Sequence, residues 1–523
     1  MRILKYAALA ALLATTAAPA LAVDLTIGRS SEQSSMDPQF SRTGNNQMTA
    51  EMIFGRMVQF DENLQVHPGL AESWVNIDPL TWEIHLRAGV TFQDGTPFTA
   101  DDVIFSIDRT DKVPNSPAPF TDTVAAIANI ERVDDLTLRV TTHNPAPSLM
   151  EDIGRVFIIS KQASEGMTSD DFNSGKATIG TGPYRFINWA PGEALELERY
   201  DGYWGEQPEF KDVEIRFISN DAARVAALLS GAVDLIDAVP PDDISRLQDN
   251  PAINVVSVPS GRVIYLGLSM RMDQAPGVTD LQGNPLAVNP FRDAKVRKAI
   301  SLMIDRELIV DRILGGSGVA AGQIGAPGLG GHAADLGPDM QDLAMAKQLL
   351  TEAGYPDGFG ITVVSSNDRF PGDADLAQAL GQMLARGGLK VTGVEALPYN
   401  VYSKAATAGD YGAFVFSLGA STPSTAPLLQ SLLHTYDADA GKGAFNRVRF
   451  SYPAFDEALA QAAQQFDPET RNRMLEDVTK MVAAETPIVP LYWQKVHWAM
   501  KAGLTIAGGL SEDTRPQDVE SVK

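Results

Sequence analysis

The residues of this chain that could do chemistry are few and scattered. Six histidines, His67, His85, His143, His332, His434 and His497, form no H-x3-H or H-E-x-x-H pair, so no zinc motif is written here. Asp101 and Asp102 stand together, but adjacent acids in the first turn of a helix meet its dipole favourably, a structural role and not a catalytic dyad. Gly316-Ser317-Gly318 would open a nucleophile elbow, and Val319 spoils the G-x-S-x-G spacing. Gly180-Thr181-Gly182-Pro183-Tyr184 satisfies neither the P-loop nor the dinucleotide spacing and reads as a turn into a strand. There is no cysteine, which removes disulfides, thiolate metal sites and cysteine nucleophiles together. An exported hydrolase would therefore need a triad assembled from distant residues. Arg369 remains, in Asn367-Asp368-Arg369-Phe370 between a strand and a helix. A guanidinium is a planar fork that can make two parallel bonds to a carboxylate, or it can bridge to Asp368 or Asp373 as an ordinary loop arginine.

The elements that must position these residues follow from periodicity. Trp82, Ile84 and Leu86 alternate with Glu83, His85 and Arg87 as a strand with one buried face, and Asp94-Gly95 marks a tight turn. Thr99 then precedes Asp102 at capping-box spacing, with Val103, Ile104 and Ile107 as the apolar face of a helix. Strands are expected at 23–28, around Leu136, Leu138 and Val140, at Leu195 and Leu197, and at Val213, Ile215 and Phe217. Residues 51–60 read as helical, and a domain crossing is expected at 265–290, where loop residues accumulate. Val296, Ile300, Met303 and Ile304 predict an amphipathic helix; further helices over 343–353, 374–386, 454–466 and 469–484 alternate with strands at 361–364, 390–394 and 413–416. That alternation predicts α/β architecture.

Composition bounds the class. Arg2, Lys5, a short apolar run and Ala20-Leu21-Ala22 describe a cleavable secretory signal over residues 1–22. The run is shorter than the ~20 residues a membrane span needs, and with no cysteine to carry a lipid the expected location is the periplasm, free of an anchor. The formal net charge is −24, and loss of Arg2 and Lys5 would make the chain more acidic still. Such a protein is a poor partner for nucleic acid or anionic membrane. A chain of 523 residues exceeds one core, so two or three domains are expected.

From Pro68 to Arg109 the order AESW, strand, LRxGVxFxDGxPxTAxDV, helix, arginine resembles the extracytoplasmic solute-binding proteins of the peptide/nickel/opine family, solute-binding protein family 5, which serve ABC importers. GTGPYRFINW and Pro487-Ile488-Val489-Pro490-Leu491 resemble that family's returns to its first domain. The resemblance implies an α/β, periplasmic-binding-protein-like two-lobed flytrap with an additional α+β domain. Lobe I would comprise 23–58, 180–278 and 490–523, domain II 59–179 and lobe III 279–489. It implies a monomer without cofactor that closes on a small solute and delivers it to inner-membrane permease subunits driven by cytoplasmic ATPases.

The resemblance also implies where the solute is read. Ser35 and Met36 fall in the loop after the first strand, at the family's cleft, although by themselves they suit an ordinary strand-to-helix connection. Arg369, with Asn367 and Phe370, aligns where dipeptide-binding relatives pair an arginine with the ligand carboxylate. Peptide-binding relatives carry a tryptophan-rich loop with an aspartate for the peptide amino terminus; here Leu418 and Ser421 stand near those positions, with no acid between Asp410 and Asp437. Burying an ammonium without a counter-charge is expensive, so the hydroxyls of Ser421, Thr422, Ser424 and Thr425 beside Arg369 suit an opine or carboxylated sugar better than a zwitterionic peptide. A peptide requires an acid from elsewhere. For a nickel chelate, which needs few protein ligands, His434 is the residue to weigh.

Overall fold

The computed structural model describes residues 24–367, 369–438 and 440–522; the expected signal segment lies outside them. Leu25–Arg29 is the first strand, and all five residues are buried. It runs parallel to Asp212–Phe217 on one side and to Leu235–Ile236 on the other, with Leu25 opposite Val213 and Ile27 opposite Leu235. Leu25 and Ile27 pack with Met52, Ile53, Leu195, Leu197, Val213 and Trp498 in one core. A second lobe forms around Gly360–Ser366, parallel to both Lys390–Leu397 and Ala413–Leu418. Its sheet is covered on both faces, by Val296, Ile300, Leu376, Leu380 and Leu384 on one and by Leu429, Leu433, Leu475 and Val482 on the other.

Two long antiparallel strands, Ile253–Leu268 and Ile488–Lys501, join the lobes into one twelve-stranded sheet. Ile253–Pro259 pairs along Lys501–Lys495 and Val263–Gly267 along Trp493–Ile488, and the register breaks between Pro259 and Val263. Proline cannot donate to a ladder, and a bulge bends a strand and re-aims its side chains. Ile264, Leu266, Leu268 and Val278 share the second lobe's core.

A third unit is the four-stranded antiparallel sheet of Ala71–Asp78, Thr81–Leu86, Thr137–Thr142 and Ile127–Asp134. Trp82, Ile84 and Leu86 bury one face, with Val103 and Ile107 of the helix Ala100–Arg109 against them. Thr99 and Asp102 form the expected capping box. The helix expected at 51–60 is instead Gly44–Ile53, followed by short strands at Gly55–Arg56 and Val58–Phe60. Pairing decides this: Gly55 lies opposite Ile158, a contact outside any local window, and Val58 opposite Pro68. Helices Tyr399–Ala408 and Ala426–Leu433 were not foreseen, and the second shortens the expected 417–429 loop. Among the described residues no helix is long and apolar enough to cross a membrane.

Candidate functional site

Parallel strands in open α/β sheets leave a crevice at their carboxyl ends, where backbone and side chains converge. In the second lobe those ends carry Asn367, Arg369 and Phe370 after Gly360–Ser366, and Ser417 to Ser421 at and after the end of Ala413–Leu418. Arg369 is exposed; its backbone N–H donates to Asp373 Oδ2 at 3.0 Å. Its guanidinium carbon lies 5.2 Å from the centre of the Tyr399 ring, and among the described residues no carboxylate is within ion-pair distance of it. Asn367 is exposed and donates its backbone N–H to Leu397 O at 3.0 Å. Phe370 points the other way, into the core with Leu314, Leu376 and Leu380.

The hydroxyl-rich stretch is divided in the same manner. Ser421 is exposed, Leu418 is half-buried against the second lobe's core, and Thr422 is buried with its hydroxyl 3.4 Å from Ser424 O. Thr425 is fully buried beneath the glycine-rich loop, where its Oγ1 would meet a Cβ on Gly331 at 2.3 Å. In the first lobe, Ser35 Oγ and Met36 N both donate to Asn173 Oδ1 at 2.8 Å, and Met36 is a core residue. The 59–179 segment therefore holds that loop from behind. His434 Nδ1 is 2.8 Å from Thr435 O and 3.5 Å from Asp456 Oδ1. Among the described residues no group of three potential metal ligands forms.

Sequence reasoning missed Arg262 and Glu512. Arg262 leaves the bulge between the lobes, and Glu512 arrives on the segment after the second crossing strand. Arg262 Nε donates to Glu512 Oε1 and Oε2 at 2.9 and 3.0 Å, and Nη2 to Oε2 at 2.6 Å. Ser260 Oγ donates to Glu512 Oε1 at 3.0 Å. Burial opposes the charge on Glu512, but the Arg262 guanidinium, these hydrogen bonds and the field of Arg369 overcome it and hold the carboxyl below its usual range. The signal that could have found Arg262 is Pro259-Ser260-Gly261 inside an alternating strand, a bulge signature. Nothing local pointed to Glu512.

A family model for the bacterial extracellular solute-binding proteins, family 5, matches residues 65–440. The chain belongs to the family 5 solute-binding proteins. It is 28% identical over 496 residues to the glutathione-binding protein GsiB of Salmonella paratyphi A, covering 93% of this chain and 92% of that protein. The periplasmic binding protein DppA from Helicobacter pylori, in complex with the peptide STSA, superposes with a TM-score of 0.80 at 25% identity, covering 95% of this chain and 98% of that one. AgaA from A. tumefaciens R10, in complex with agropinic acid, shares the fold with a TM-score of 0.77 at 24% identity, covering 95% and 99%. Family 5 proteins are two-lobed α/β binding proteins of ABC importers that take peptides or similar ligands. In this family 5 chain Arg369 lies against Tyr399 and Arg262 against Glu512, and the two pairs are within electrostatic reach of each other.

Proposed function

We propose that this protein is a periplasmic receptor that captures a small acid-bearing, peptide-like solute between its lobes and delivers it to inner-membrane permease subunits of an ABC importer. The observation that carries this reading is Arg369: an exposed guanidinium braced on Tyr399 and, among the described residues, without a carboxylate partner. A carboxylate placed there gains charge-assisted, bidentate hydrogen bonds that no carboxylate among the described residues already uses. Arg369 and Ser421 are its readers from the second lobe, with Ser35 and Met36 backing the opposite wall. Relatives named for glutathione and for a bound peptide support a peptide-like acid over a sugar acid. The reading includes export by residues 1–22 and residence free of a lipid anchor, since the chain has no cysteine.

The test is mass spectrometry of the solute released on denaturing protein purified from its native periplasm, followed by titration of that solute. Arg369→Ala should weaken binding by about tenfold to a hundredfold, the worth of one charge-assisted hydrogen bond. Wild-type affinity in that variant, or a released solute with no acidic group, would overturn the reading.

A further inference from the structure

Arg262 sits where a strand bulge turns its side chain out of the sheet between the lobes, and it is not spent on its salt bridge. Guanidinium offers five N–H donors in a fixed fork. Glu512 takes the Nε and Nη2 side, while among the described residues Nη1 makes only a 3.5 Å contact with Ser417 Oγ. The end of the fork therefore keeps hydrogen atoms for another acceptor. Its surroundings are the carboxyl end of a second-lobe strand: Nη2 lies 3.1 Å from where a Cβ on Gly419 would stand, Ser417 belongs to the strand Ala413–Leu418 and Gly419 directly follows it. Tyr399, which braces Arg369, lies within the electrostatic reach of Arg262, and Arg369 within that of Glu512. Two guanidinium groups thus border one patch, with Glu512 balancing one of them.

We propose that Arg262, set by Glu512, is a second anion-reading residue, and that the solute carries two acidic groups held by Arg262 and Arg369 together. This rests on the crevice being the solute site. Glu512 is a positioning residue: gripping one side of the guanidinium, it turns the Nη1 end towards the crevice and fixes the rotamer before the solute arrives, which lowers the entropy cost of binding. The C-terminal segment thereby takes part in selecting the solute. A lone ammonium is disfavoured at this patch, because Glu512 is already neutralised.

The experiment titrates purified protein by calorimetry with matched probes that differ by one acid: Ala-Glu against Ala-Gln, and glutathione against its glycine amide. The wild type should favour the two-acid member of at least one pair by about tenfold, and Arg262→Lys, which keeps the charge and loses the fork, should cut that ratio to about twofold while single-acid binding persists. Glu512→Gln should lower the same ratio by a smaller factor. A pair that serves only to staple the C-terminal segment would weaken both members equally and leave the ratio unchanged, which overturns the assignment. Equal wild-type affinity for both members of each pair overturns it too, while leaving the peptide-like reading intact. No binding of any probe overturns both. Circular dichroism melts of each variant exclude unfolding as the cause.

Discussion

Arg109 grips Asp37 with both ends of its fork, Nη1 to Oδ1 at 2.9 Å and Nη2 to Oδ2 at 2.6 Å, across 72 residues of chain. The Asp37 side chain is fully buried, and Ser169 Oγ adds a third bond at 2.7 Å. This explains the arginine that closes the 68–109 motif: it ties the helix of the antiparallel unit to the loop that follows the first strand. Removing one partner of a buried pair leaves an uncompensated charge. Asp37→Ala should therefore cost about 3–5 kcal/mol. Urea unfolding measures it, and a loss under about 1 kcal/mol would contradict the role assigned here.

Glu151 makes stability depend on pH. Burial, with Asp152 adding and Arg471 and Arg155 opposing, raises its carboxyl from 4.5 to about 7. Asp152 is likewise raised by burial, from 3.8 to about 6. A raised folded-state value means that the folded protein binds the proton more tightly than the unfolded chain. Stability therefore falls as pH climbs from the unfolded values through about 7, and levels off above. Glu151→Gln should be more stable than wild type near pH 8, with the advantage shrinking towards pH 5; urea midpoints at the two pH values decide it.

Trp82 of the antiparallel unit meets Phe466 of the second lobe, ring centres 6.2 Å apart. This contact links the antiparallel unit to the turn between the helices Pro453–Ala463 and Pro468–Ala484, so a hinge motion between those parts would break it. Phe466→Ala should favour the open form and weaken solute affinity by about two- to tenfold, the worth of one aromatic pair. Small-angle scattering should show a larger radius of gyration without solute. Unchanged affinity and radius would show that the contact does not track closure.

Gly180 is required for its lack of a side chain. A Cβ there would stand 1.9 Å from Ile53 O, a backbone atom that cannot swing aside. Gly180→Ala should cost about 3 kcal/mol and lower the melting temperature by several degrees, read by calorimetry.

Local patterns in the sequence determined much of this protein. The alternation of Trp82, Ile84 and Leu86, the Thr99 and Asp102 cap, and the stripe of Leu376, Leu380, Met383 and Leu384 all form as their spacing predicts, because each depends on neighbours within a turn or a pleat. The family, too, was legible, since the 68–109 motif is contiguous. Tertiary structure alone decided how 51–60 pairs and which side chains of adjacent residues are buried. Arg369 and Phe370 are adjacent in sequence and point to opposite environments, a choice made by the packing around them. Glu512 stands 250 residues from Arg262, and no periodicity encodes that meeting. It exists because the second crossing strand returns the C-terminal segment to the bulge in the first.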